Sequence, residues 1–292
     1  LKARRQKKGI CGQYNFVTLR GGTFQIPKED SETFLDLYIA ALPSFSAKQF
    51  TSLAWRPPLG KFRPLCVDFD IVLSEHYAFP DTEFEELAEW LCELVCMKTG
   101  LSEVTVALTR RPAVYEATKG ADIIWKTGFH AFFFGFLVTS SKAEEIRQGV
   151  LPFLDQLKVK HPYVVNQPED IFDRSVSPFG KNGLIMVGDR KPGRPDVQGY
   201  YFFFRGTYSL RSGFSGAQRF APEDTPRLLR EMWKEMWGFL WTEPPWEKFG
   251  SPEEEKSSPT TSSKPLASKE FDLSAFLAAT KGWVPPQKEY LQ

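Results

Sequence analysis

The sequence is poor in the residues that build sulfur- and imidazole-rich metal sites. Its 292 residues include four cysteines and three histidines. Cys92 and Cys96 are spaced to share one face of a helix, but no second pair of ligands lies at the spacing of a structural zinc site. We therefore expect reduced thiols in an intracellular protein, and neither a zinc site nor a disulfide framework.

Long apolar runs and a strong net charge are also missing. There is no run of about 18 apolar residues, and the phenylalanine-rich stretch 129–138 is too short to span a bilayer. With no visible secretory signal, we expect no membrane segment and a nuclear or cytoplasmic location. The net charge of +1 indicates no partner by itself. No Gly-x-x-x-x-Gly-Lys-Ser/Thr loop occurs, which argues against an ATP-driven motor.

The sequence is rich in residues that can form a hydrophobic core, because 42% of its residues are hydrophobic and 26 are phenylalanine. Helices are predicted over 31–42, 80–100, 142–157 and 225–241, and strands over 65–72, 104–108, 129–138, 183–187 and 200–204. This mixed order predicts an α/β or α+β domain.

Composition divides the chain into four segments. Residues 1–20 form a basic arm with five cationic side chains in its first eight residues, which suits either contact with nucleic acid or a solvated terminus. Residues 21–250 form the main domain. Residues 251–270 read as a Ser/Pro-rich linker, and 271–292 as a tail with a short helix over 271–280.

The most informative motif is Asp68-Phe69-Asp70 within the apolar run 65–72. Because a strand alternates faces, Asp68 and Asp70 should lie on one side, about 7 Å apart along the chain. Two close carboxylates repel, and a divalent cation with oxygen ligands relieves that repulsion. The pair is a candidate metal site for phosphoryl transfer; the alternative is a strand end that meets solvent.

A second motif, Lys126-Thr127-Gly128-Phe129-His130, opens the phenylalanine-rich strand. Lys126 supplies charge, Gly128 permits close backbone approach, and His130 can donate to a phosphate oxygen. The motif therefore suits a phosphate pocket. The alternative is that His130 is an ordinary core histidine.

Two further elements follow. Asp173 comes after the apolar pair Ile171-Phe172 and is either a third metal ligand or a turn residue. The predicted strand 183–187 ends in a glycine and delivers Arg190, Lys191 and Arg194 together, either to neutralise phosphates or as a solvated loop.

Together these motifs resemble the archaeo-eukaryotic primase superfamily, and most of all the primase domains of large DNA virus primase-helicases of the asfarvirus and poxvirus type. The shared order is a hydrophobic Asp-x-Asp, then Lys-x-Gly-Phe-His, then a hydrophobic residue with aspartate before an apolar strand and a lysine. The resemblance covers about 21–208, including Gly22–Pro27. It implies a mixed sheet flanked by helices with an RRM-like palm half.

The resemblance also implies roles for the acidic residues. Asp68, Asp70 and Asp173 would bind two divalent ions, Mg²⁺ or Mn²⁺. Asp173 and one of the pair would hold the ion that lowers the pKa of an attacking 3′-hydroxyl. Asp68 and Asp70 together would hold the ion on the triphosphate.

For the nucleotide, the resemblance implies that His130 contacts phosphates and that Lys191, with Arg190 beside it, is the basic residue after the third motif. Lys126 of the second motif is expected to help balance the phosphate charge. Two departures stand out. Asp189 puts a negative charge beside the basic pair, which leaves the phosphate contacts open. Phe132–Phe134 stand where the family commonly has a proline.

The implied function is a DNA primase or primase-polymerase domain that joins NTP or dNTP on a single-stranded DNA template at a replication site. A helicase part is expected C-terminal to it. Two other classes fit parts of the pattern. An Mn²⁺-dependent Asp-x-Asp glycosyltransferase would not need Asp173 and Lys191. In a non-catalytic nucleic-acid-binding module the aspartates would be incidental.

Overall fold

The structure is a computed structural model that describes most of the chain. The described residues are 2–5, 15–19, 23–46, 50–56, 60–176, 178–179, 182–191, 197–238, 246–251 and 270–272. Arg194, nearly all of the predicted linker and the tail beyond Asp272 lie outside these residues.

A seven-stranded sheet is organised around one long strand, β8. Its strands are β5 (Arg63–Leu73), β6 (Glu103–Arg110), β7 (Tyr115–Lys119), β8 (Asp122–Val138), β9 (Tyr201–Ser209), β10 (Gly213–Arg219) and β11 (Glu247–Phe249). β5 runs antiparallel along one edge of β8, while β7, β6 and β11 pair with successive stretches of the other edge. β9 and β10 extend the sheet beyond β6.

A smaller antiparallel sheet has the order β12-β1-β3-β2-β4. Its strands are β1 (Lys2–Arg5), β2 (Phe16–Thr18), β3 (Thr23–Gln25), β4 (Leu53–Trp55) and β12 (Glu270–Asp272). The predicted boundary between arm and main domain at residue 20 therefore falls inside a sheet, and Phe16 is fully buried. The helix predicted from Phe271 is wrong at its start, because Phe271 and Asp272 pair with β1 as a strand.

Helices cover both faces of the large sheet. They are α1 (Ser31–Ala41), α2 (Asp81–Thr99), α3 (Ser140–Lys160), α4 (Pro168–Ile171) and α5 (Thr225–Trp237). On one face, α2 and α3 pack against side chains such as Val67, Phe69 and Phe133. On the other, α1, α5 and the small sheet cover Cys66, Phe132 and Phe202. Since side chains alternate along a strand, Asp68 and Asp70 share the face of Cys66.

Most predicted elements are confirmed, and the α/β class with them. Helix α2 ends at Gly100, which takes the left-handed conformation (φ 79°) and donates its N–H to Cys96, as a C-terminal glycine predicts. Cys66, Cys92 and Cys96 are buried free thiols. Among the described residues, none of the helices is both long and apolar enough to cross a bilayer.

The strand predicted over 183–187 is wrong. This segment is irregular and makes one isolated antiparallel bridge, between Ala54 and Ile185. Its residues from Leu184 to Val187 are all buried, so the apolar run reflects burial on every side and not membership of a ladder. The adjoining turn closes at Asp189, whose N–H donates to the Met186 carbonyl.

Candidate metal and nucleotide site

The acidic pair lies at the centre of the large sheet, directly opposite the second motif. In the β5–β8 register Asp68 faces His130, Asp70 faces Gly128, and Val72 faces Lys126. Residues opposite each other in an antiparallel pair project on the same side. The pairing therefore places Lys126 and His130 on the face that carries the two carboxylates.

Gly128 serves the strand pairing at this point. Its φ is +152°, and a Cβ there would lie 1.9 Å from the Phe69 carbonyl oxygen. A side chain would therefore force β8 away from β5. The close approach predicted for this glycine is made to β5, and the register of the site depends on it.

Asp173 reaches the pair through backbone contacts. After α4 the chain forms a bridge between Phe172 and Phe69, and the Asp173 N–H donates to the Asp68 carbonyl at 2.9 Å. The Asp173 carboxylate accepts hydrogen bonds from the Ser175 N–H and hydroxyl, each 2.7 Å long. One carboxylate oxygen from each of Asp68, Asp70 and Asp173 lies within 4.8 Å of the others, so this group can hold a metal ion.

The electrostatics of the pair fit a cation site. Burial is the strongest influence on Asp68 and acts to raise its pKa, but His130, Lys191 and Arg111 more than offset it, so the pKa of Asp68 is lowered. Burial and the charge of Asp68 raise the pKa of Asp70. The buried Oδ1 of Asp68 has no hydrogen-bond partner in the described part of the chain. An all-oxygen donor set of this kind suits a hard divalent ion such as Mg²⁺ or Mn²⁺.

His130 is buried beside the acidic pair. Its side chain is 1% exposed, and its Nε2 lies 3.4 Å from Asp68 Oδ1. The imidazole stacks on Tyr200 with 3.9 Å between ring centroids. Its Nδ1 is buried without a hydrogen-bond partner among the described residues. Contact of His130 with a nucleotide phosphate stays a prediction.

The predicted basic residues divide between two places. Lys191 lowers the pKa of both Asp68 and Asp70, and Lys126 lowers that of Asp70, so both lie near the carboxylates. Arg190 instead lines a separate cavity with Gln198 and Tyr200. Arg190 and Lys191, which are predicted to act together with Arg194, thus lie at different places. Arg194 itself lies outside the described residues.

Sequence reasoning missed two residues that lie beside the acidic pair and His130, namely Arg111 and Tyr200. Arg111 is 5% exposed, lies just beyond β6 and donates from Nη1 to the Gln198 carbonyl at 2.5 Å. Its guanidinium carbon lies 4.4 Å from the Tyr200 ring centroid. The Arg110-Arg111 pair at a strand end was a weak signal, because only the second arginine faces the site. Arg110 forms an ion pair with Asp81.

The side chain of Asp189 points into the core and not towards the basic residues that follow it. Its side chain is fully buried and accepts hydrogen bonds from the amides of Thr51, Ser52, Leu53 and Arg190 and from the Thr51 hydroxyl. Burial raises its pKa, and these donors oppose that rise. The expectation that it places negative charge beside the basic pair is therefore wrong, since the carboxylate turns inward and fixes the segment before β4.

Phe132–Phe134, the second departure, continue the buried strand. Phe132 and Phe134 join the core under α1 and α5, and Phe133 joins the core under α2 and α3. The three aromatic residues thus serve both faces of β8, and a proline here would remove a ladder hydrogen bond.

Residues 15–203 match the family model described as the C962R protein N-terminal AEP domain. AEP denotes the archaeo-eukaryotic primases, and the C962R domain that the family model describes is an asfarvirus one. Because the match covers more than half of the chain, the protein belongs to this family, and a primase- or polymerase-type function in general follows. Comparison with curated proteins gave no match.

Proposed function

We propose that this domain joins nucleotides on a single-stranded DNA template, as a DNA primase or primase-polymerase, at the site formed by Asp68, Asp70 and Asp173. The observation that supports it best is the convergence of these carboxylates, which come from parts of the chain about a hundred residues apart in sequence, to within 4.8 Å of one another. The glycosyltransferase alternative gives no reason for the third carboxylate to join the pair.

Each residue has a distinct task in this proposal. Asp68, Asp70 and Asp173 would hold two divalent ions. Such ions supply positive charge to the triphosphate and lower the pKa of the attacking 3′-hydroxyl. Lys126 and Lys191 bind phosphate oxygens and offset charge as pyrophosphate leaves. No side chain is needed as a general base.

His130 and Arg111 act next to these groups. His130 lies against Asp68 and would fix that carboxylate, and its Nδ1, which is buried without a hydrogen-bond partner among the described residues, would contact a phosphate oxygen. Arg111 adds, after His130 and Lys191, to the positive charge that lowers the pKa of Asp68.

The test is template-directed incorporation of labelled NTP and dNTP with Mg²⁺ or Mn²⁺. The variant is Asp68→Asn/Asp70→Asn, and the matched control is Asp155→Asn, an exposed aspartate on α3. We expect product from wild type and Asp155→Asn, and a loss of at least roughly a thousandfold in the double variant with DNA binding retained. A double variant that still extends a strand would refute the proposal. Wild type that binds DNA but makes no product with any template or ion would support a binding module.

The helicase part and the nuclear or cytoplasmic location belong to the same proposal. Both rest on the resemblance to viral primase-helicases. A longer chain from the same source with a nucleotide-binding loop after residue 292 would support the first.

A further inference from the structure

A cavity of about 260 Å³ adjoins the acidic site and shares Tyr200 with it, but includes none of the three aspartates. Its apolar lining comes mainly from Leu42 and a set of prolines. These are Pro43, Pro112, Pro222 and Pro226. Pockets for drug-sized ligands run from roughly 300 to 1,000 Å³, so a cavity of this volume suits a smaller group such as one heterocyclic base.

On one side of this cavity, two lining glycines, Gly188 and Gly199, are in direct contact. A Cβ on Gly199 would lie 2.4 Å from the carbonyl carbon of Gly188. Gly188 has φ +88°, and its N–H donates to the Tyr200 carbonyl at 2.7 Å. The turn that carries Arg190 is therefore packed directly against the segment that carries Tyr200, which gives the cavity a fixed side.

Polar side chains, both exposed and buried, also line the cavity. Gln198 and Glu223 are exposed at the rim, and Arg190 is half-buried beside them. Thr225 is 5% exposed, and its hydroxyl has no hydrogen-bond partner among the described residues. A buried hydroxyl left without a partner is unfavourable, and a ligand with a polar edge would satisfy it.

The neighbours Arg190 and Lys191 serve different sites. Lys191 acts on Asp68 and Asp70, whereas Arg190 lines the cavity. Any ligand of the cavity is thus held next to, and not within, the place of the triphosphate.

We propose that this cavity binds one unpaired base of the single-stranded template, with guanine the best fit. A cation and an anion at the rim complement guanine, because Arg190 can donate to O6 and N7 while Glu223 accepts from the opposite edge. The base of an incoming nucleotide must pair with the template, so it cannot also be held by its edges here. The proposal deepens the proposed function by giving the domain a preference for template sequence.

The test measures binding without metal or nucleotide, so it does not depend on synthesis. Two fluorescent oligomers are compared by anisotropy, one made wholly of abasic deoxyribose residues and one with a single central guanine. We expect wild type to bind the guanine oligomer at least about fivefold more tightly, the lower end of what one protein-bound base contributes. Arg190→Gln, Glu223→Gln and Thr225→Val should each reduce that ratio, and Lys98→Gln, at an exposed lysine of α2, should leave it unchanged.

Thr225→Val is the most discriminating variant, because it keeps the side-chain size and removes only the unpartnered hydroxyl. Its melting temperature should equal or exceed that of wild type. Equal binding of both oligomers by wild type would overturn the proposal, as would a guanine preference that survives Arg190→Gln and Thr225→Val. If free guanosine monophosphate binds as tightly as the guanine oligomer, the ligand is a nucleotide and the assignment to the template is wrong.

Discussion

Two buried histidines in this domain each lie beside a carboxylate and a tyrosine, but only His130 belongs to the candidate site. His130 lies against Asp68 and Tyr200, while His161 lies between Glu83 and Tyr163 at the end of α3. Replacement of His130 by alanine should lower nucleotide use by roughly tenfold or more, because it removes the partner of a site carboxylate, with the fold retained.

His161→Ala is the matched control. It should reduce the melting temperature, since it leaves the partly buried Glu83 without its imidazole partner, and leave the KM for nucleotide unchanged. Steady-state kinetics and thermal melts separate the two effects. A His130→Ala chain that only unfolds would show that this histidine is a core residue.

The ionised carboxylate of Asp70 destabilises the metal-free fold, and a bound cation would offset that destabilisation. Burial and the charge of Asp68 raise the pKa of Asp70, so ionising this carboxyl group is less favourable in the folded chain than in the unfolded one. The stability linked to the protonated form is present at low pH and is lost as pH rises through the raised pKa. At neutral pH Asp70→Asn should therefore stabilise the metal-free protein by roughly 1 kcal/mol.

The same shift sets the pH dependence of metal binding. The ion requires the ionised carboxylate, so affinity should weaken as pH falls through the raised pKa of Asp70. Melting curves with and without Mn²⁺ check both points. Wild type should gain more than Asp70→Asn from the ion, and a variant that melts below wild type without metal would contradict the account.

At the scale of elements, the β5–β8 pairing depends on Gly128. A methyl group there would lie 1.9 Å from the Phe69 carbonyl, so Gly128→Ala should destabilise the fold by more than about 2 kcal/mol. Gly135 on the same strand has φ +89° but no atom within 4 Å of its ideal Cβ. Gly135→Ala should therefore cost only about 1 kcal/mol from backbone strain. Chemical denaturation measures both, and equal losses would show that the contact with Phe69 is unimportant.

Sequence patterns located the strands that carry the site but not how they meet. The alternation of β5 placed Asp68 and Asp70 on one face, and the family resemblance supplied Asp173 and His130. The positions of Arg111 and Tyr200 follow from the pairing of β6 with β8 and β9. The local hydrophobic pattern of a strand does not predict its register with a strand that is distant in sequence.

The errors at this scale have one physical origin. The segment 183–187 has the composition of a strand because every side of it is buried, and the charge of Asp189 is hidden because backbone amides surround it. Both properties arise from tertiary contacts with the segment 51–55. Neither could be read from a window of a few residues.

For the whole molecule, the family match ends at residue 203, but the fold does not. The remaining part of β9, β10 and α5 lies beyond that point, and α5 contributes Leu229, Met232 and Trp237 to the core under the acidic face. A chain that ends at 203 should therefore fail to fold.

A chain that ends at Ser251 should melt cooperatively and keep the activity of the longer chain. Of the residues that the structure describes after Ser251, this truncation removes β12, a three-residue edge strand paired with β1. Circular dichroism melts of the two truncations check this. A folded chain 1–203 would mean that α5 is dispensable and that the second core is not continuous with the site.

The most direct measurement of the central claim is Mn²⁺ binding followed by electron paramagnetic resonance. The proteins compared are wild type, Asp155→Asn, and asparagine variants of Asp68, Asp70 and Asp173. The account predicts that each of the three site variants weakens Mn²⁺ binding by roughly tenfold or more, because each removes one ligand, while Asp155→Asn matches wild type. Unchanged binding in Asp173→Asn would contradict it.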